Sequence, residues 1–283
     1  MSARGPKKRS GETKSRVRLE GFYVYCIGER DSLTRVFEDV LPAAIESDSV
    51  LELIAHEELG TVVSAVPLSD YGEDALQERL SDATWTAVRA MRHEKVVEHF
   101  ARRASVVPLR FGTIYLERAS VLQMLSERGS ELLAIIKRLR GREEWGLNVY
   151  YLREKLLEKI TTLSPVLREM GESAKSATPG QSYLIRKKID AMREAEARKE
   201  IKRVAAKIGQ ELSNQCEDMR RLRVLKDEAG EHGELAAKFA FLVGRDRFEE
   251  FRSAAERLAE EYVAPGFRLE LTGSWPPYNF ANG

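Results

Sequence analysis

The sequence predicts an α+β protein of two domains, each with elements in approximate β-α-β-β-α-β order, with a long charged helix in the second. Three observations carry this. Short runs rich in β-branched and aromatic residues alternate with stretches of helical periodicity. That order of elements occurs twice along the chain. A long amphipathic run over residues 181–216 sits inside the second occurrence. The boundaries read as a basic tail over 1–20, a first domain over 21–140, a second over 141–272, and an aromatic, Pro-rich tail over 273–283.

The first strand is residues 21–27, GFYVYCI, bounded by Gly and apolar throughout, the pattern of a buried strand. Leu33, Val36, Phe37, Val40 and Leu41 then recur at helical spacing, with Asp31 or Ser32 as the cap and Pro42 near the end. Residues 50–56 and 60–66 read as two strands joined by a hairpin at 57–60. A second helix over 81–104 carries Trp85, Val88, Val96 and Phe100 on one stripe, and residues 106–108 form a strand. This is the ferredoxin-like split βαβ order. Residues 119–140 read as one helix stopped by Gly141.

The second occurrence opens with an alternating aromatic strand over 145–152. A helical stretch over 154–170 breaks at Ser164-Pro165, which also suits a helix start. Residues 173–180 read as a loop. The run from 181 to 216 would span roughly 54 Å as a helix. Its apolar positions Ile185, Ile189, Met192, Ala197, Ile201, Val204, Ile208 and Leu212 lose register between Met192 and Ala197. One reading is a solvated amphipathic helix; the sharper one is an arm that meets a partner helix. Strands over 219–225 and 238–243 flank a polar loop at 226–233. A helix over 247–262 buries Phe248, Phe251, Ala255, Leu258 and Tyr262, and 267–271 is a last strand.

Composition excludes several classes. Apolar residues make up 43% and the net charge is +1, which argues against bulk disorder. The longest uncharged stretch, 271–283, is too short and too rich in Gly and Pro to span a membrane. With only Cys26 and Cys216, no disulfide scaffold is expected. The N-terminus lacks an apolar signal region. A cytoplasmic protein with reduced thiols is the expectation. The basic tail, with Arg4, Lys7, Lys8, Arg9, Lys14, Arg16 and Arg18 against Glu12 and Glu20, could touch nucleic acid. The rest of the chain is slightly acidic, which argues against a nucleic-acid-binding body.

No phosphate-loop, dinucleotide, nucleophile-elbow or H-E-x-x-H pattern is present. His93 and His99 would stand roughly 240° apart around a helix, so they cannot share a metal. His56 and His232 have no ligand cluster at the right spacing. Cys26 and Cys216 read as small hydrophobes rather than nucleophiles. Glu194 and Arg198 have the spacing of a surface i,i+4 pair. No catalytic residue, cofactor or metal is expected.

Two segments stand out. In residues 106–115, VVPLRFGTIY, Pro108 ends a strand and Leu109, Arg110 and Phe111 lead into a tight turn at Gly112-Thr113. Arg110 projects from an apolar run, which suggests an ion pair or an interface anchor, since an unpaired buried charge is costly. Arg92 interrupts the apolar stripe of its helix and is a candidate neighbour. The second segment, LTGSWPPYNFANG, holds Trp275, Pro276, Pro277, Tyr278 and Phe280 without a charge. A free tail of this kind is a sticky patch, so it folds back onto the chain or docks on a partner. If Trp275 were buried, Trp275→Ala would cost about 3–5 kcal/mol of stability.

Together these residues resemble the gas vesicle protein F/L family (GvpF/GvpL). The similarity rests on the aromatic opening strand and His93 ahead of P-L-R-F-G-T (Pro108 to Thr113). It also rests on P-G-x-x-Y-L (Pro179, Gly180, Tyr183, Leu184) and G-x-W-P-P-Y-x-F (Gly273, Trp275, Pro276, Pro277, Tyr278, Phe280). It covers about residues 20–281. One departure is Ser274, where the family's common form has Pro. The resemblance implies two α+β domains, the C-terminal one ferredoxin-like, and a non-enzymatic role as an accessory or minor structural protein of gas vesicles. It further implies binding to the major shell protein and possible contact with other accessory proteins, with neither small-molecule substrate nor membrane. Arg92, His93, residues 108–113, Trp275 to Tyr278, and Phe280 are the candidate domain-junction or partner-binding positions. The competing class is a nucleic-acid-binding module using a ferredoxin-like sheet and the basic tail.

Overall fold

The computed structural model describes residues 19–224, 229–230 and 233–281. Nearly all of the basic tail and most of the polar loop over 226–233 lie outside the described residues. The first sheet is built around β1 (Glu20–Glu29), whose Tyr23, Val24, Tyr25, Cys26 and Ile27 are fully buried. A strand covered on both faces reads as a continuous apolar run, which is why its sequence does not alternate. After α1 (Arg30–Val36), the hairpin of β2 (Leu51–His56) and β3 (Leu59–Pro67) pairs antiparallel with β1. Three helices follow: α2 (Leu68–Tyr71), α3 (Glu73–Leu80) and α4 (Ala83–Ala101). The chain then returns to the far edge of β1 as β4 (Val106–Pro108) and β5 (Ile114–Tyr115), giving the order β2-β3-β1-β4 with β5 also on β1.

Several expected elements change here. α1 stops at Val36, four residues before Val40, which stands 94% exposed. Asp31 and Ser32 lie inside the helix rather than capping it. Pro42 pushes the residue before it toward extended backbone, so the apolar spacing beyond Phe37 is not helical. α3 left little trace in the sequence because none of its residues is fully buried, Leu76 packing only in part against the core. α4 starts where Asp82 accepts the N–H groups of Thr84 and Trp85. It buries His93, Val96, Val97 and Phe100 but leaves Val88 exposed. The helix expected over 119–140 is two, α5 (Arg118–Glu127) and α6 (Gly129–Leu139), parted at Arg128. Gly129, a poor helix former, lets α6 turn to bury Leu132, Ile135, Ile136 and Leu139.

The second sheet has the order β10-β6-β9-β7, antiparallel throughout. Its strands are β6 (Arg142–Tyr151), β7 (Asp218–Leu222), β9 (Gly233–Gly244) and β10 (Phe267–Trp275), with β8 (Ala229–Gly230) beside β9. In chain order this is fourth, first, third, second, as in the first sheet. The first crossover holds three helices: α7 (Arg153–Leu163), α8 (Pro165–Ser176) and α9 (Pro179–Ser213). The second is α10 (Phe248–Val263). Ser164 accepts the Leu167 N–H at the start of α8, with Pro165 in its first turn. The loop expected over 173–180 shrinks to two residues, because Thr178 and Gln181 cap α9 reciprocally.

α9 is partnered within its own chain. It packs along α7 and α8 and then onto β9, burying Ile189, Ala197, Val204, Ile208 and Leu212. Glu194 pairs with Arg153 on α7 instead of forming the expected side-chain pair with Arg198. Phe239, Phe241 and Val243 of β9 face this helical layer, whereas Ala240 and Leu242 join a separate cluster with α6 and β1. The two sheets therefore meet through α6 and one end of β9.

Candidate functional site

The P-L-R-F-G-T segment is an interruption of a sheet edge. Leu109 N–H donates to Tyr25 O at 2.9 Å, and Val24 N–H donates to Thr113 O at 2.9 Å. The ladder with β1 holds on both sides while residues 110–112 leave it. Thr113 closes the excursion by donating to Arg110 O from its N–H (3.2 Å) and its hydroxyl (2.7 Å). Gly112 has φ +83, a conformation costly for any residue with a Cβ. Its N–H donates to Tyr23 Oη at 3.0 Å. Phe111 stands edge-on to both Tyr23 and His93.

His93 is fully buried and bonded at both ring nitrogens. Nδ1 lies 2.9 Å from Tyr23 Oη and Nε2 lies 3.0 Å from Tyr278 Oη. Tyr278 Oη also donates to Glu94 Oε1 at 3.0 Å. With the Glu94 carboxylate ionised, these contacts run in one direction. Tyr278 gives its proton to Glu94, so it accepts from His93 Nε2–H. Nδ1 is then the acceptor for the Tyr23 O–H, and Tyr23 Oη in turn accepts the Gly112 N–H. Burial lowers the His93 pKa to about 4 and keeps the ring neutral, as this chain requires. Burial also raises the hydroxyls of Tyr23 and Tyr278 and the carboxyl of Glu94.

The C-terminal tail completes the site. Pro276 and Pro277 are buried and lead into a 3-10 turn at Tyr278–Phe280. Phe280 is fully buried among Ile27, Val107, Leu125, Leu132, Ile136 and Leu242, where the two sheets meet. Arg138 Nη2 donates to Phe280 O at 2.5 Å. Asn279 donates its backbone N–H and side-chain amide to the buried Glu144 carboxylate at 2.9 and 2.5 Å. The tail thus bonds to α4, α6 and β6 at once.

Not every singled-out residue takes part. Arg110 is exposed, and its side chain makes no ion pair or hydrogen bond among the described residues. Of the two expectations for Arg110, the ion pair is not formed among the described residues: solvent removes the need for a partner, and the Arg110 carbonyl holds the turn. Arg92 donates instead to Ile45 O at 2.9 Å and pins the loop before β2. Trp275 is 53% exposed, its Nε1–H 3.2 Å from Thr272 Oγ1, so it is not the tail's buried anchor. It stands on the rim of a cleft of about 30 Å³ beside Arg102, Arg142 and the two prolines. Sequence reasoning passed over Tyr23, Glu94, Arg138, Glu144 and Asn279. Only Tyr23 carried a signal, a hydroxyl in the middle of a buried strand.

The chemistry here is that of a fastening. His93 is neutral and doubly bonded, and burial raises the thiol of Cys26. Among the described residues no group of three or more His, Cys, Asp or Glu could hold a metal. No described helix is long and apolar enough to cross a membrane.

Known proteins share this architecture. Gas vesicle protein L of Streptomyces sp. (strain CB03234) is 29% identical over 92% of both chains. Gas vesicle protein F of the same strain is 27% identical over 67% of this chain and 76% of its own length. The crystal structure of GvpF from Anabaena sp. PCC7120 superposes with a TM-score of 0.66 at 18% identity, covering 93% of this chain and 97% of that one. GvpF from Microcystis aeruginosa gives 0.61 at 18% identity over 93% and 99%. These two likenesses speak for the fold. The family model described as gas vesicle synthesis protein GvpL/GvpF matches residues 21–282. With both diagnostic segments inside that match and joined at one site, the chain belongs to the GvpL/GvpF family of gas vesicle proteins.

Proposed function

We propose that this protein is an accessory or minor structural protein that binds the major gas vesicle shell protein and assists nucleation and assembly. A small shell protein with an apolar face aggregates unless that face is held before assembly. The observation that carries the reading is the state of Trp275. It is a large aromatic, half exposed, at the root of a tail fixed by Phe280, Asn279 and Tyr278. An aromatic whose backbone is already ordered loses little freedom on binding and makes a good anchor. Arg110, exposed on an ordered turn, is the second candidate contact.

The test is saturable binding of the purified shell protein to the wild-type chain and to Trp275→Ala and Arg110→Ala, each with its melting curve. The expected result is wild-type binding that weakens about tenfold or more in a variant that still melts normally. Full binding by both variants would remove these positions from the contact. No binding by a well-folded wild type would overturn the shell-protein reading.

A further inference from the structure

β10 is an outer strand with one side open. It pairs with β6 along its length, and no described strand meets its other side. Such an edge offers free N–H and C=O groups to any strand whose side chains fit. The bulge that blunts this edge lies late, between Gly273 and Trp275, and leaves residues 267–271 regular.

The side chains of that segment alternate. Phe267, Leu269 and Leu271 pack on the α10 side of the sheet. Arg268 and Glu270 stand on the opposite face, where Asn148 Nδ2 and Tyr150 Oη donate to Glu270 at 3.0 and 3.1 Å. Arg268 is exposed and has no partner among the described residues. On the apolar side, Leu269 and Leu271 are only half-buried. They line an open groove of about 340 Å³ with Trp145, Leu147, Phe248 and Ala255.

The order Arg-Leu-Glu is complementary to itself when run antiparallel. A two-fold axis at Leu269 sets Leu269 against Leu269 of a second copy. Arg268 then faces Glu270 twice, and Phe267 faces Leu271 twice. Moving the axis one residue either way sets Glu270 against Glu270 or Arg268 against Arg268, and like charges directly opposite are destabilising. An axis normal to the sheet keeps faces on the same side, so the two apolar grooves merge into one trough walled by both α10 helices. We propose that β10 is a self-association edge, and that two copies of this chain pair antiparallel in the register centred on Leu269. Such an interface is isologous and closes at two.

Sedimentation of the full chain over a concentration series tests this. The wild type is expected to show a monomer–dimer equilibrium. Arg268→Glu and Glu270→Arg each set two like-charge pairs in the interface, and each should weaken association roughly tenfold or more. Mixing the two variants one to one restores both pairs in a heterodimer and should recover the wild-type mass. Leu269→Cys, across from its own copy, should cross-link on oxidation, because facing Cα atoms in an antiparallel pair lie within disulfide reach. Leu271→Cys, across from Phe267, should not. Arg268 is exposed and unpaired, so Arg268→Glu should melt like the wild type and carries the test should Glu270→Arg unfold. A wild type that stays monomeric, a mixture that fails to recombine, or equal cross-linking of both cysteine variants would overturn the proposal.

Discussion

Phe280→Ala separates the buried anchor of the tail from its exposed aromatic. Phe280 is fully buried where the two sheets meet, whereas Trp275, the larger side chain, is 53% exposed. Removing the Phe280 ring forfeits about 2 kcal/mol of transfer free energy. The ring-sized cavity left among Ile27, Leu132 and Leu242 adds about 2 kcal/mol more, because these side chains are held by two sheets and a helix and close the gap only in part. The backbone contacts of residues 279 and 280 survive the substitution, so the loss is that of packing alone. A total of about 4 kcal/mol is expected. Trp275→Ala leaves no cavity, since water fills the space, and should cost about 1 kcal/mol. Urea titrations of both variants followed by far-UV circular dichroism give the two numbers. A cost below about 1 kcal/mol for Phe280→Ala, or a larger one for Trp275→Ala, would refute the assignment of the anchor.

Tyr278→Phe keeps the ring but strands His93 Nε2–H and removes a donor from Glu94, so a loss of about 1–3 kcal/mol is expected in the same titration. An imidazole nitrogen spectrum of the wild type should show the Nε2–H tautomer for His93, and the Nδ1–H form would contradict the proton order derived above. Stability should also fall with acid. The folded-state pKa of His93 is lowered from 6.5 to about 4, so its contribution is present above 6.5 and is lost as pH falls toward 4, about 3 kcal/mol in all. Glu94 and Glu144, raised by burial, act in the opposite sense over their own titration, so the decline should steepen when Glu144→Gln removes one of them and flatten in His93→Gln. Gly112→Ala meets only an ordinary contact, Leu76 Cδ2 at 3.7 Å, yet must hold φ +83; a cost of about 1–2 kcal/mol from the backbone alone is expected by chemical denaturation.

What the sequence disclosed follows from which forces leave a local pattern. β1 was legible because a strand buried on both faces must be apolar at every position. The Ser164-Pro165 helix start and the stop at Gly141 were legible because caps use few residue types. The hairpin was legible from its two strands alone, since its turn is Glu57-Glu58 with Glu57 at φ +51 and Gly60 lies within β3. α3 was hidden because it is partly buried at little more than Leu76 and so has no stripe. The break at Arg128 was hidden because α5 and α6 have almost continuous periodicity, and only packing against different neighbours divides them. Within the site, Arg110 misled because an apolar neighbourhood in sequence implied burial, whereas the residue sits at the tip of an excursion from a sheet edge. Trp275 misled by size. Which aromatic of a tail reaches the core is decided by the path that Pro276 and Pro277 impose, and that path depends on Glu144 and His93, far away in sequence.

The two segments that carried the family resemblance prove to be halves of one device. The turn after β4 supplies Gly112 N–H and the Phe111 ring, the tail supplies Tyr278 and Phe280, and His93 is the buried link between them. Each half needs the other. Without Tyr278 the His93 Nε2–H loses its acceptor, and without the His93 pocket the tail is an exposed apolar strip. This accounts for most of the residues in both segments by stability alone, which narrows the search for residues that serve binding. Arg110 and Trp275 remain, each on a rigid backbone, each facing solvent, and neither required by the fastening. On the proposed reading these two positions, rather than the buried ones, are where a gas vesicle partner would be met, and Trp275, with only two side-chain torsions, loses less freedom on contact than Arg110.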